Sequence, residues 1–105
     1  MIKLTVLYGH PKDADAFERY YAQTHMPIAE KMKTLRRFEL SKAAAAPEGG
    51  PPPYYRMAEA YFDDAAHMQR VLASPEAQAT IADMANFATG GVTSFVSEVL
   101  SVTQS

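Results

Sequence analysis

The chain opens on alternation. Ile2, Leu4, Val6 and Tyr8 are separated by Lys3, Thr5 and Leu7, the period-two pattern of a strand with one buried face. Gly9-His10-Pro11 closes it. Asp13 or Asp15 then stands where a helix cap belongs, and Phe17, Tyr20, Tyr21, Thr24, His25 and Ile28 recur at three- and four-residue spacing, which predicts an amphipathic helix. Pro27 lacks an amide hydrogen and steers Met26 towards extended backbone, so a break at His25-Met26 with a restart at Pro27 is expected. Leu35 to Lys42 alternates again and reads as the second strand. AAAAPEGGPPP, Ala43 to Pro53, is too rich in glycine and proline for regular structure and predicts a mobile hairpin loop. Tyr54 to Phe62 returns to strand character. Asp63 is the expected cap of a short helix ending at Leu72, and Ser74-Pro75-Glu76 starts another that runs to about Phe87. After Gly90-Gly91, Val92 to Val102 is rich in β-branched residues and suits a last strand.

The order β-α-β-β-α-β is that of the ferredoxin-like α+β fold, a four-stranded antiparallel sheet with helices on one face. With 105 residues, residues 1–105 are expected to form one domain. Parity divides the strands into a nearly pure apolar set (Ile2, Leu4, Val6, Phe38, Leu40) and a mixed set (Lys3, Thr5, Leu7, Arg37, Glu39). The helices need the first. The second faces away from them, on a surface too large for a monomer to leave open, so a homodimer through this sheet face is expected, with a partly polar space between the stacked sheets.

Composition narrows the functional classes. The formal net charge is -2 and there is no basic stripe, which excludes nucleic acid as an expected partner. The absence of cysteine removes disulfides, thiolate nucleophiles and Cys-based zinc or iron–sulfur sites. No apolar run approaches a membrane span, and the alternating N-terminus lacks the features of a signal peptide, so the cytoplasm is the expected location. Glycine pairs at Gly49-Gly50 and Gly90-Gly91 have neither the spacing nor the context of a phosphate-binding loop.

The candidate chemistry centres on His25. It lies four residues after Tyr21, on the stripe of Phe17, and points inwards or along the sheet edge rather than into solvent. One reading makes it a structural group that bonds loose backbone at a helix break. The other makes it a general acid/base or ligand-orienting group beside a cavity, completed by Tyr20 or Tyr21. His10, on the turn after the first strand, is a candidate binding residue, as are Tyr8 and Glu59; a Lys3–Glu59 ion pair across neighbouring strands is the structural alternative for Glu59. No two histidines have metal-ligand spacing on one helix, and no carboxylate lies three or four residues from His25 on its side, so neither a metal nor a cofactor is expected.

LYGHPKDADAFERYYAQTHMPIAEKM and YYRMAEAYFDDAAHMQRVLASPEAQATIADMANFATGG resemble the EthD family of dimeric α+β barrel proteins over nearly the whole chain. The Tyr21-x-x-x-His25-x-Pro27 motif, the LYGHP turn and the SPE…ADMANFA segment carry the resemblance. It implies a homodimer with stacked sheets, a pocket between sheet and helices, and His25 at that pocket. Relatives in the superfamily include cofactor-free oxygenases, polyketide cyclases, decarboxylases and dehydrating lyases of apolar, often aromatic, molecules, so the resemblance fixes a site and not a reaction. Two functions follow as expectations: cofactor-independent proton transfer, lyase, cyclase or oxygenase chemistry on an apolar carbonyl-containing molecule, or an accessory module that carries such a molecule without changing it.

Overall fold

The computed structural model describes residues 1–32 and 35–102. The strands are β1 (Ile2–Tyr8), β2 (Arg37–Lys42), β3 (Arg56–Phe62) and β4 (Val92–Glu98). They form one antiparallel sheet in the order β2-β3-β1-β4, the ferredoxin-like arrangement that the element order predicts. Leu4 stands beside Ala60 and Val96, and Ala60 beside Phe38, in one row; Val6, Ala58, Leu40 and Ser94 make the next. These rows face the helices. The alternate residues, Lys3, Thr5, Leu7, Arg37, Glu39, Glu59 and Tyr61, share the opposite, open face, in agreement with the parity of the sequence.

β4 stops pairing at Glu98, short of the expected Val102. Its last pairing is with the start of β1, Ile2 opposite Glu98, and beyond it the Val99 amide bonds the carbonyl of Met1. β2 begins at Arg37 rather than Leu35, because the Leu35 side chain turns under the helices to pack on the Ala60, Phe62 and Val71 cluster.

The helical layer consists of α1 (Ala14–Tyr20), a π-helical turn (Tyr21–His25), α2 (Met26–Ala29), α3 (Ala65–Leu72), α4 (Pro75–Asp83) and a 3₁₀ turn (Met84–Asn86). Asp13 caps α1 by accepting from the Ala16 amide, and Ser74 caps α4 by accepting from Ala77. The cap of α3 is Asp64, not Asp63. Asp63 is instead held by Arg36, whose Nε and terminal nitrogen donate to its two oxygens at 2.7 and 2.9 Å.

The expected break at His25-Met26 does not occur. Met26 is helical, with φ -62° and ψ -41°, and its amide reaches back five residues to the Tyr21 carbonyl. A proline clashes with the carbonyl four residues before it, and the wider π turn gives that ring room without ending the helix. The same turn aligns the buried side. At 3.6 residues per turn a four-residue step overshoots by about 40°, yet Phe17, Tyr21, His25 and Ala29 are all buried; the wider turn takes back the drift.

At one end of the layer, Gly9 and Gly90 press backbone against backbone, so that a Cβ on either would overlap the other, and the Gly9 amide bonds the Gly91 carbonyl at 3.0 Å. Only glycine permits this approach. At the same end Tyr8, Phe17, Tyr21 and Phe87 interlock, with ring centroids 5.3 to 5.8 Å apart.

Ser74→Ala removes the α4 cap and its 2.6 Å bond to the Val71 carbonyl. It is expected to lower unfolding stability by about 1 kcal/mol, read as a shift of the urea midpoint at unchanged slope.

Candidate active site

The π turn delivers His25 to the inner side of the helical layer with only 3% of its surface exposed. Its ring lies 4.6 Å from that of Phe87 and 5.2 Å from that of Tyr21. Such a ring needs a polar partner, and α4 provides one at its last residue: His25 Nδ1 stands 2.9 Å from Asp83 Oδ2. The other carboxylate oxygen accepts from the Tyr20 hydroxyl at 2.6 Å and from Asn86 Nδ2 at 3.0 Å. Three donors from two helical segments therefore converge on one buried carboxylate.

Burial pushes the Asp83 carboxyl up, but the hydrogen bonds from Tyr20, Asn86 and His25 outweigh it and hold its pKa below the usual range. The Tyr20 hydroxyl is held above its ordinary range chiefly by donating to Asp83. Burial does the same to Tyr8 and Tyr21. All three tyrosines are thus neutral donors near pH 7. An ionised Asp83 accepts only, so His25 Nδ1 carries the hydrogen of this bond and Nε2 is the ring nitrogen turned away from the carboxylate. Nε2 has no hydrogen-bond partner among the described residues.

A pocket runs from this histidine between the sheet and the helices. Its empty space is about 540 Å³ including its open mouth. The floor is Leu4, Val6, Ala58 and Ala60, and the roof includes Val71, Ala77 and Met84. Tyr8, Tyr21 and His25 line the stitched end, while Phe38 and Ile81, 36% and 44% exposed, flank the mouth. The three alanines leave a flat slot where larger side chains would fill the layer. Among the described residues no group of three or more His, Asp or Glu is placed to hold a metal ion, and no helix is long and apolar enough to cross a membrane.

Of the six residues singled out from sequence, the structure brings four to this site: His25, Tyr21 and Tyr8 on the pocket wall, and Tyr20 behind Asp83. His10 is elsewhere. It is exposed, and its Nε2 donates to the Pro52 carbonyl at 2.8 Å, which ties the β1 turn to the 43–53 segment. Glu59 lies on the open sheet face, paired with Lys3 at 2.9 Å. Asp83 and Asn86 were not anticipated. Their signal is an acid and an amide three residues apart at a helix end, in Asp83-Met84-Ala85-Asn86, but nothing local says that the pair meets a histidine 58 residues earlier.

The EthD domain family matches residues 10–91. The chain belongs to the EthD family. Over 93 residues, 89% of each chain, it is 40% identical to an uncharacterised 11.0 kDa protein of the thcB-thcC intergenic region of Rhodococcus erythropolis. The crystal structure of an EthD family protein from Bacillus halodurans superposes with a TM-score of 0.87 at 32% identity, covering 95% of this chain and 99% of that one. Two more distant structures share the fold alone. One is SnoaB, a cofactor-independent oxygenase from Streptomyces nogalater (14% identity, TM-score 0.63, 96% and 93% covered). The other is a dimeric ferredoxin-like protein of unknown function from Bacteroides fragilis (16%, 0.64, 93% and 95%).

The Asp83 carboxyl has a lowered pKa, so its contribution to stability is complete above the unfolded value of about 3.9 and is lost as pH falls through the lower folded value. Acid titration is expected to destabilise the wild type progressively below about pH 4. Asp83→Asn is expected to flatten that part of the profile, checked by urea midpoints across the acid range.

Proposed function

We propose that this EthD-family protein binds a small apolar molecule, aromatic or carbonyl-bearing, in the pocket beside His25 and transfers a proton on it without a cofactor. The observation that carries this reading is a buried histidine on the wall of an apolar slot, its Nδ1 held by a carboxylate and its Nε2 without a hydrogen-bond partner among the described residues. A base in this state accepts a proton from the ligand while Asp83 stabilises the imidazolium that forms. Tyr21, whose oxygen accepts from Tyr8 and Arg56, keeps its own hydroxyl hydrogen as a neutral donor on the same wall, suited to an oxygen that gains negative charge. The low polarity of the lining strengthens each of these interactions.

The protein acts as a homodimer through the open sheet face. That face mixes Leu7, Met57 and Phe95 with charges that already have partners in their own chain: Lys3 with Glu59, and Glu39 with both Arg37 at 2.6 Å and Tyr61 at 2.9 Å. Burying it against a second copy therefore strands no unpaired charge. The dimeric state of the Bacteroides fragilis relative in fold points the same way.

Acetophenone in D₂O tests the chemistry. Wild type is expected to accelerate loss of the methyl proton signals, and His25→Gln to slow that exchange by about 100-fold or more while still binding. Binding without exchange by wild type would assign the protein to the carrier class instead. Sedimentation is expected to give twice the chain mass at micromolar concentration; a stable monomer would remove the stacked-sheet dimer.

A further inference from the structure

The His25–Asp83 pair leaves one largely buried cation, Arg56, unexplained. Arg56, at the start of β3, projects to the helix side of the sheet beside Tyr8. Its guanidinium lies 4.5 Å from the centroid of the Tyr21 ring and 5.8 Å from that of Phe17, and it is one of the polar neighbours of the Tyr21 hydroxyl, Tyr8 being the other. Glu18 on α1 accepts from Arg56 and also pairs with Lys42 of β2 at 3.1 Å. Two cations share one carboxylate, so the trio carries a net charge of about +1. The Nε–H of Arg56 is buried with no acceptor among the described residues, an unusual state for such a donor.

Opposite charges therefore flank one end of the pocket. Behind His25 is the Asp83 carboxylate. Against the Tyr21 ring is the Arg56 cation, which does not itself line the pocket. A cation on an aromatic face is held there by the ring quadrupole, and it makes the phenol it faces a stronger donor by stabilising the negative charge that builds on the phenol oxygen as its proton is shared. With an apolar lining around it, the field across that end is weakly screened.

We infer that the pocket takes an enolisable aryl ketone or a phenol in a single orientation, its acidic hydrogen on His25 Nε2 and its oxygen on the Tyr8 and Tyr21 side, and that Arg56 is a positioning residue which stabilises negative charge on that oxygen. This rests on the pocket reading above. In the ketone case the C–H bond breaks, its proton goes to Nε2, and its electron pair moves into the carbonyl to give an enolate oxygen. Return of the proton completes a redox-neutral cycle. Arg56 does not touch the ligand; it acts through Tyr21.

The test uses para-nitrophenol, whose phenolate absorbs in the visible. The charged and titratable groups around the tyrosine pair are Arg56, Glu18, Lys42, His25 and Asp83, and the variants change the first two alone. Bound probe is expected to ionise at lower pH in wild type than in Arg56→Met, with the phenolate-to-phenol affinity ratio falling about 10-fold in the variant. Glu18→Gln, which removes a half-exposed carboxylate and leaves the cations in place, is expected to move the ionisation further down. This second variant keeps the test decisive if Arg56→Met does not fold. Saturable binding with the same ionisation profile in wild type and Arg56→Met, or an upward shift in Glu18→Gln, would overturn the role of Arg56 and leave the pocket standing. Absence of saturable binding to wild type would overturn both.

Discussion

The placement of one carboxylate governs the helical layer. Asp83 sits at the last residue of α4, buried, and accepts from Tyr20 at the end of α1, from His25 at the end of the π turn and from Asn86 in the 3₁₀ turn. These donors lie on two continuous helical segments, 14–29 and 75–86, and the shared acceptor ties one to the other over the sheet. A charge so buried is tolerated only when fully bonded. The requirement runs both ways, since His25 would otherwise carry a bare ring nitrogen into the layer.

The π turn is what makes that geometry possible. An α-helix from Ala14 to Ala29 would carry its four-residue stripe round the cylinder, and by His25 the side chain would have rotated away from the line set by Phe17. The wider turn keeps both on one line and at the same time relieves Pro27. A motif that combines tyrosine, histidine and proline at this spacing thus describes a backbone shape as much as a set of functional groups.

Much of the fold was legible because alternation and caps are local. The strands, the two faces of the sheet, the Ser74 cap and the neighbour relation of β1 and β3 all follow from residues close in sequence, and the Lys3–Glu59 pair follows from the topology. The inward direction of His25 was legible from its stripe. Its partner was not: no carboxylate of its own helix faces it, and Asp83 comes from the other half of the fold. Pro27 misled for a related reason. Its steric effect is certain, but whether a helix breaks or widens in response is decided by the packing of Tyr21 and His25 against Phe87, which sequence spacing does not contain. The exposed turn site of His10 has the same character, since its partner, the Pro52 carbonyl, arrives by way of the hairpin between β2 and β3.

The Gly9–Gly90 seam fixes the direction in which the layer can breathe. It joins the loop that leads into α1 to the loop that leaves the 3₁₀ turn, the two segments that carry the histidine and aspartate halves of the dyad. The helices are fastened to the sheet at that end like covers at a book's spine, and the free edge is the opposite one, where Ile81 and Phe38 flank the pocket and Met32 and Leu35 lead out of it. A molecule bound with its polar end at His25 has entered tail last, and whatever part of it projects from Ile81 and Phe38 is the part the protein leaves ungoverned. For a ligand held as proposed, chain length or bulk beyond the slot is free to vary, while the ring at the spine is not.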